Sequence, residues 1–218
     1  MNFKAGYIYH IYNQGNNRQN IFFKAENYLF FLKKIKTHIL PYTDIFAWCL
    51  MPNHFHLMVL VNDIARGSLK AKPLLHSKPS MEAKPLLHST KAEPSISKKS
   101  KTLNHSIGIM LRSYTMAINK QQNRSGSLFR KQTKAICLNC PTGISPAWFT
   151  DNGIIRINIS NLEKQYPQIC FHYIHNNPVK SGLVKRIEDW EYSSARDYMG
   201  LRSGKLINKK KAQEYIET

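Results

Sequence analysis

MPNHFHLMVLV, residues 51–61, alternates between two kinds of side chain. In a strand, residues two apart share a face, so His54 and His56 stand together on one side. Phe55, Leu57, Val59 and Val61 form an uninterrupted apolar row on the other. Burying that row against a helix fixes the register, because a slip of one residue would turn every apolar side chain outward. The two imidazoles are then held as a rigid pair, and imidazole is the commonest protein metal ligand. Spacing and face alone leave open whether the pair is incidental or metal-binding. Upstream, Thr43 to Leu50 is a second β-type run, and the break at Met51, Pro52 and Asn53 predicts a hairpin.

Working outward, Gly6 to Tyr12 is β-rich and is followed by the polar turn NQGNNRQ. From Glu26 to Ile39 the residues Leu29, Leu32, Ile35 and Ile39 recur at helical spacing. Leu103, Ile107, Met110, Leu111, Tyr114 and Ile118 do the same over about five turns. Tyr114 shares that seam, and by spacing alone it is a core tyrosine. A last helix is expected from Leu162 to His175, ending at Asn176, Asn177 and Pro178. Strand, helix, hairpin, helix, strand implies an α+β protein with an antiparallel sheet and packed helices. His10, on the first strand, reads as structural.

Two stretches interrupt this pattern. Residues 66–100 are rich in Pro, Ser and Lys without an aromatic residue, which is flexible-linker composition. AKPLLHS occurs there twice, at Ala71–Ser77 and Ala83–Ser89, too few copies for a solenoid. Residues 139–160 read as a loop excursion with several Pro and Gly. One domain over 1–198 with two inserts is expected, followed by a basic tail over 199–218 whose Lys209 to Lys211 form an exposed end.

The chain has 218 residues, 42% hydrophobic and 11% aromatic, which excludes wholesale disorder. Its formal net charge of +19 points to a polyanionic partner. From Arg66 to Lys134 there are 15 Lys and Arg against two acidic residues, Glu82 and Glu93. No purely apolar run, Leu57 to Val61 among them, approaches the ~20 residues of a spanning helix, and the N-terminus has no secretory apolar region. No membrane partner and a cytoplasmic location are therefore expected, with four sparse cysteines as thiols. Cys137, Cys140, Cys170 and His172 offer a rival zinc-organised reading, although a CxH pair is uncommon in structural sites.

His54-Phe55-His56 is an HUH signature, and the chain resembles the single-tyrosine HUH transposases, most of all the REP-associated tyrosine transposases. The resemblance rests on YHIYNQGNNRQNIF at Tyr9–Phe22, MPNHFHLMV at Met51–Val59, SYTMAIN with SGSLFR at Ser113–Arg130, and YIHNNPVKSGLV followed by WEYSSARDY at Tyr173–Tyr198. It implies an HUH-type (ferredoxin- or RRM-like) sheet, with His54 and His56 holding a divalent ion, Mg or Mn. It further implies cleavage and rejoining of single-stranded DNA through a 5′-phosphotyrosine, with Tyr114 as the nucleophile. A phenolate leaves far more readily than an alkoxide, so such an ester is reversible. Hairpin DNA, of the REP type or at element ends, is the implied substrate, handled by a monomer or homodimer. Ile118, one turn beyond Tyr114, cannot supply a third metal ligand, which leaves Asn119 and Gln121 as candidates. Candidate DNA contacts are Asn16, Asn17, Arg18, Arg112, Arg130 and Lys131. The alternative is a catalytically inactive single-stranded nucleic-acid-binding module.

Overall fold

The expected hairpin is present, and a four-stranded sheet is assembled around it. The computed structural model describes residues 2–63, 102–140 and 162–218. Both AKPLLHS copies and most of the second excursion lie outside them. The elements run β1 (Ile8–Gln14), α1 (Ala25–His38), β2 (Thr43–Met51), β3 (His54–Val61), α2 (Leu103–Gln121), β4 (Lys134–Cys137), α3 (Leu162–Lys180), α4 (Ala195–Tyr198) and α5 (Lys209–Ala212). The sheet order is β2-β3-β1-β4, with every neighbouring pair antiparallel. The protein is thus α+β, as the alternation of patterns predicts.

The two faces of β3 meet different helices. Phe55, Leu57, Val59 and Val61 pack with Tyr9 and Ile11 of β1, and against Phe31 and Ile35 of α1 and Ile107, Met110 and Tyr114 of α2. Each such fully buried side chain contributes roughly 1.5–3 kcal/mol. Met58 and Leu60, on the histidine face, pack with Ile8, Cys170 and Ile174, so α3 covers that side. The sheet therefore separates two helical layers, with the histidines on the α3 side.

Several boundaries differ from the sequence expectations. On α1 the buried stripe is Tyr28, Phe31 and Ile35, continued by Ile39 just beyond the helix, and Leu29 is exposed, because the aromatic rings claim the inward face. Helix α3 does not end at Asn176 but continues through Pro178 to Lys180. A proline this near the end costs few backbone bonds; the chain turns out after Gly182, whose φ of +71° suits glycine. The basic end is not a free tail. Asn208 N donates to Ile45 O at 2.9 Å, and Ala212 and Ile216 are buried beside β2, although Lys209 and Lys210 stay exposed. Leu50 N to Tyr192 O and Ser194 N to Trp48 O, each 2.9 Å, cover the β2 edge. Among the described residues no helix is long and apolar enough to cross a membrane.

The cysteines also depart from expectation. Cys137 and Cys140 are joined to each other in a disulfide, while Cys49 and Cys170 are buried thiols. Cys170 packs against β2 and β3 in the core. The four-residue zinc site is thereby removed, since its first two sulfurs are bonded together and its third is sealed in apolar packing. Among the described residues no cluster of three His, Cys, Asp or Glu could hold a metal.

Candidate active site

Strand alternation places His54 and His56 side by side, their ring centroids 4.9 Å apart and nearly perpendicular. In the register, His56 lies opposite Tyr12 and His54 opposite Gln14, so both sit at the end of the sheet where β1 runs out. His54 is half-buried and His56 is 4% exposed. Burial lowers both imidazole pKa values, that of His56 well below its ordinary value with a further push from His10 and His54. A hydrogen bond with Asn177 partly opposes the shift at His54. Both rings are therefore neutral at physiological pH, the form that ligates metals.

A tight loop frames His54. Gly15 N donates to Asn53 O (2.8 Å), and Ile21 N and Phe22 N donate to Pro52 O, tying the turn after β1 to the hairpin. Asn53 Nδ2 donates to Arg18 O at 3.3 Å, which turns its Oδ1 toward His54 Nδ1, 2.5 Å away. The turn needs left-handed backbone at Asn17 (φ 52°) and Arg18 (φ 58°), costly for the arginine. A Cβ on Gly15 would collide with the Gln19 carbonyl oxygen, itself part of the backbone. Gly15→Ala is accordingly expected to destabilise the protein by about 1–3 kcal/mol, read as a lower denaturant midpoint at unchanged slope.

The tyrosine expected here is elsewhere. Tyr114 lies on the opposite side of the sheet, fully buried, its ring 4.8 Å from Phe31 and 6.0 Å from Phe129. Its hydroxyl donates to Ile21 O at 2.7 Å, and burial pushes its pKa up. The placement of Tyr114 beside the histidines is thus corrected: the apolar seam through Ile107, Met110 and Ile118 turns it into the α1 layer, and the sheet stands between. Asn119 and Gln121 belong to the same layer. Asn119 Nδ2 donates to Gly126 O, and Gln121 Oε1 accepts from Asn27 Nδ2, both at 2.8 Å. Tyr114→Phe should leave the Ile21 carbonyl unsatisfied and cost about 1–2 kcal/mol, a fall in Tm of roughly 2–8 °C by calorimetry.

A different tyrosine occupies the histidine face. Tyr173 on α3 presents its ring edge-on to His56, centroids 5.4 Å apart, and to His10 at 6.0 Å. It is half-buried. Burial raises its pKa, and a hydrogen bond from the Asn177 side chain pulls it back. Asn177, one turn further along the helix, also hydrogen-bonds His54, and its Nδ2 donates to Tyr173 O at 3.0 Å. Phenol, amide and two imidazoles thus converge from β3 and α3. Farther along α3, His175 is held by Ser194 Oγ, 2.7 Å from its Nε2, and Ser194 in turn bonds the β2 backbone at Trp48, fixing the helix on the sheet.

The donor set suits a divalent ion on two grounds. His56 Nε2 is buried with no hydrogen-bond partner among the described residues, a polar atom that the protein itself leaves unsatisfied. Two neutral imidazoles with the amide of Asn177 make a mixed nitrogen and oxygen set that Mg or Mn accepts. His54, His56 and Asn177 are the residues that would hold it.

The candidate DNA contacts divide. Asn17 and Arg18 are exposed on the loop beside His54, while Asn16 is half-buried and donates to Ser127 O at 3.1 Å. Arg130 and Lys131 are exposed on the turn before β4; Arg130 N donates to Gln14 O, next to His54 in the register. Phe129 is buried in the core. Arg112 is exposed on α2, in the layer across the sheet, and is not brought to the site.

No family model matches the chain, and no curated protein matches it. Among solved structures it is similar to one described as a REP-associated tyrosine transposase bound to a REP hairpin, with a TM-score of 0.48 and 14% sequence identity. The match covers 95% of this chain and 92% of that one.

Proposed function

We propose that this protein is a divalent-metal-dependent endonuclease and strand transferase of single-stranded DNA, acting through a covalent tyrosine ester on hairpin-bearing substrates. The observation that carries the reading is the convergence of Tyr173, Asn177, His54 and His56 on one face of the sheet. The motifs of the sequence and its charge of +19 supply the substrate class.

Tyr173 Oη attacks a backbone phosphorus, forming an O–P bond as the bond to the 3′ oxygen breaks. The protein keeps the 5′-phosphate side of the cut, and the other strand leaves with a free 3′-hydroxyl. The phenol proton passes to solvent, and the departing 3′ oxygen takes a proton from solvent to become that hydroxyl. A DNA 3′-hydroxyl attacking the adduct reverses the exchange, and because one phosphodiester replaces another, no external energy source is needed. A divalent ion held by His54, His56 and Asn177 would supply electrophilic polarisation of a non-bridging phosphate oxygen. His54 and His56 hold their neutral nitrogens in place on a strand, and Asn177 orients the phenol while contributing its oxygen. Arg18, Arg130 and Lys131 supply salt-sensitive attraction to the backbone at this end of the sheet.

Incubation with a 3′-labelled single-stranded hairpin and Mn²⁺ should give a denaturation-resistant adduct carrying the label, since a 5′-phosphotyrosine retains the 3′ segment. A 5′-labelled strand should be released. Tight binding without any adduct across Mg²⁺ and Mn²⁺ would establish the inactive binding module instead.

A further inference from the structure

His10 is a buried polar side chain that the chemistry above leaves unused. It lies on β1, 2% exposed, stacked on Tyr12 at 4.8 Å and on His56 at 5.0 Å. Its Nε2 is 2.9 Å from His56 Nδ1. The outer nitrogens of the pair, His10 Nδ1 and His56 Nε2, have no hydrogen-bond partner among the described residues. As a purely structural contact this is poor, because one hydrogen bond is made while two buried nitrogens go unsatisfied.

Two neutral imidazoles in contact share a single proton between the facing nitrogens, which allows two arrangements. In one, His56 carries its proton on Nδ1 and donates to His10 Nε2, so that His56 Nε2 shows a lone pair. In the other, His10 donates, and the only proton of His56 sits on Nε2, where it blocks coordination. The nitrogen remote from a ligand atom commonly sets the tautomer and aim of a metal-bound histidine.

We propose that His10 is a positioning residue: its Nε2 accepts a hydrogen bond from His56 Nδ1–H, fixing the tautomer whose Nε2 is free for a divalent ion. This rests on the reading of His54 and His56 as ligands. The role is the counterpart of Asn53 at His54, where a neighbour again meets the ring at Nδ1. It accounts for an imidazole in the middle of a strand whose neighbours on that face, Ile8 and Met58, are apolar.

The test uses the full chain, ¹⁵N-labelled and metal-free, with long-range ¹H–¹⁵N spectra of the histidine rings and Mn²⁺ binding followed by electron paramagnetic resonance. The expected wild-type result is a His56 protonated at Nδ1 with an unprotonated Nε2. His10→Phe should mix the tautomers and weaken Mn²⁺ binding about 10- to 100-fold. His10→Gln, which retains an acceptor, should restore most of the affinity. Wild-type His56 protonated at Nε2 overturns the proposal without reference to any variant, as does a folded His10→Phe protein with unchanged Mn²⁺ affinity. Failure of the ligand assignment gives a different result, Mn²⁺ binding that survives His54→Ala with His56→Ala, and the metal-free tautomer is read independently of it.

Discussion

Tyr173→Phe is expected to abolish the covalent protein–DNA adduct, a loss on the order of 10⁴-fold or more in cleavage, while Tyr114→Phe forms it at close to the wild-type rate. The contrast is sharp because the two substitutions remove the same atom. Phenylalanine at 173 keeps the edge-on contact with His56 and loses only the attacking oxygen and its hydrogen bond with Asn177. The site is half-buried, so stability should change by less than about 1 kcal/mol. At 114 the order is reversed: the hydroxyl is a buried structural donor, and its removal is felt in Tm. Adduct formation by Tyr173→Phe, with loss in Tyr114→Phe, would return the nucleophile to α2. Gel mobility after denaturation, with the melting temperature measured beside it, decides the matter.

His54→Ala with His56→Ala should lower cleavage by about 10³-fold or more, consistent with several kcal/mol of charge stabilisation lost at the phosphate. Binding should persist with an unchanged salt slope, since that slope counts the phosphates neutralised by Lys and Arg, and neither histidine is charged at neutral pH. The retained binding also shows that the double variant is folded. Cleavage at the wild-type rate would remove the metal assignment. A loss of affinity that scales with salt would place the histidines among the DNA contacts instead.

The histidine pair is legible in the sequence because a period of two leaves little choice about faces. For Tyr114 the signal that mattered was the seam itself: a tyrosine in register with Ile107, Met110 and Ile118 follows them into the core, and the HUH likeness outweighs that simpler reading only when the far side of the sheet is out of view. Tyr173 is harder to find. Its helix carries Pro167 and Pro178 and has little amphipathic character, so Asn176-Asn177-Pro178 reads as a stop. Once the helix is seen to run through Pro178, the four-residue spacing of Tyr173 and Asn177 puts both on one face. His10 could be read only as structural, because its partner is set by cross-strand register, which no local pattern encodes. The tail misleads for a similar reason: Ala212 and Ile216 are apolar residues scattered in a polar, charged stretch, and their burial beside β2 depends on distant sequence.

Helix α3 has a consequence for stoichiometry. In the proposed reaction the phenol, the amide and both imidazoles come from the same polypeptide, so one copy would hold every group that the cut uses. Turnover per molecule should then be the same in dilute and concentrated solution. Mixing a chain lacking Tyr173 with a chain lacking the two histidines should yield no ester at all, because neither could lend the other what it is missing.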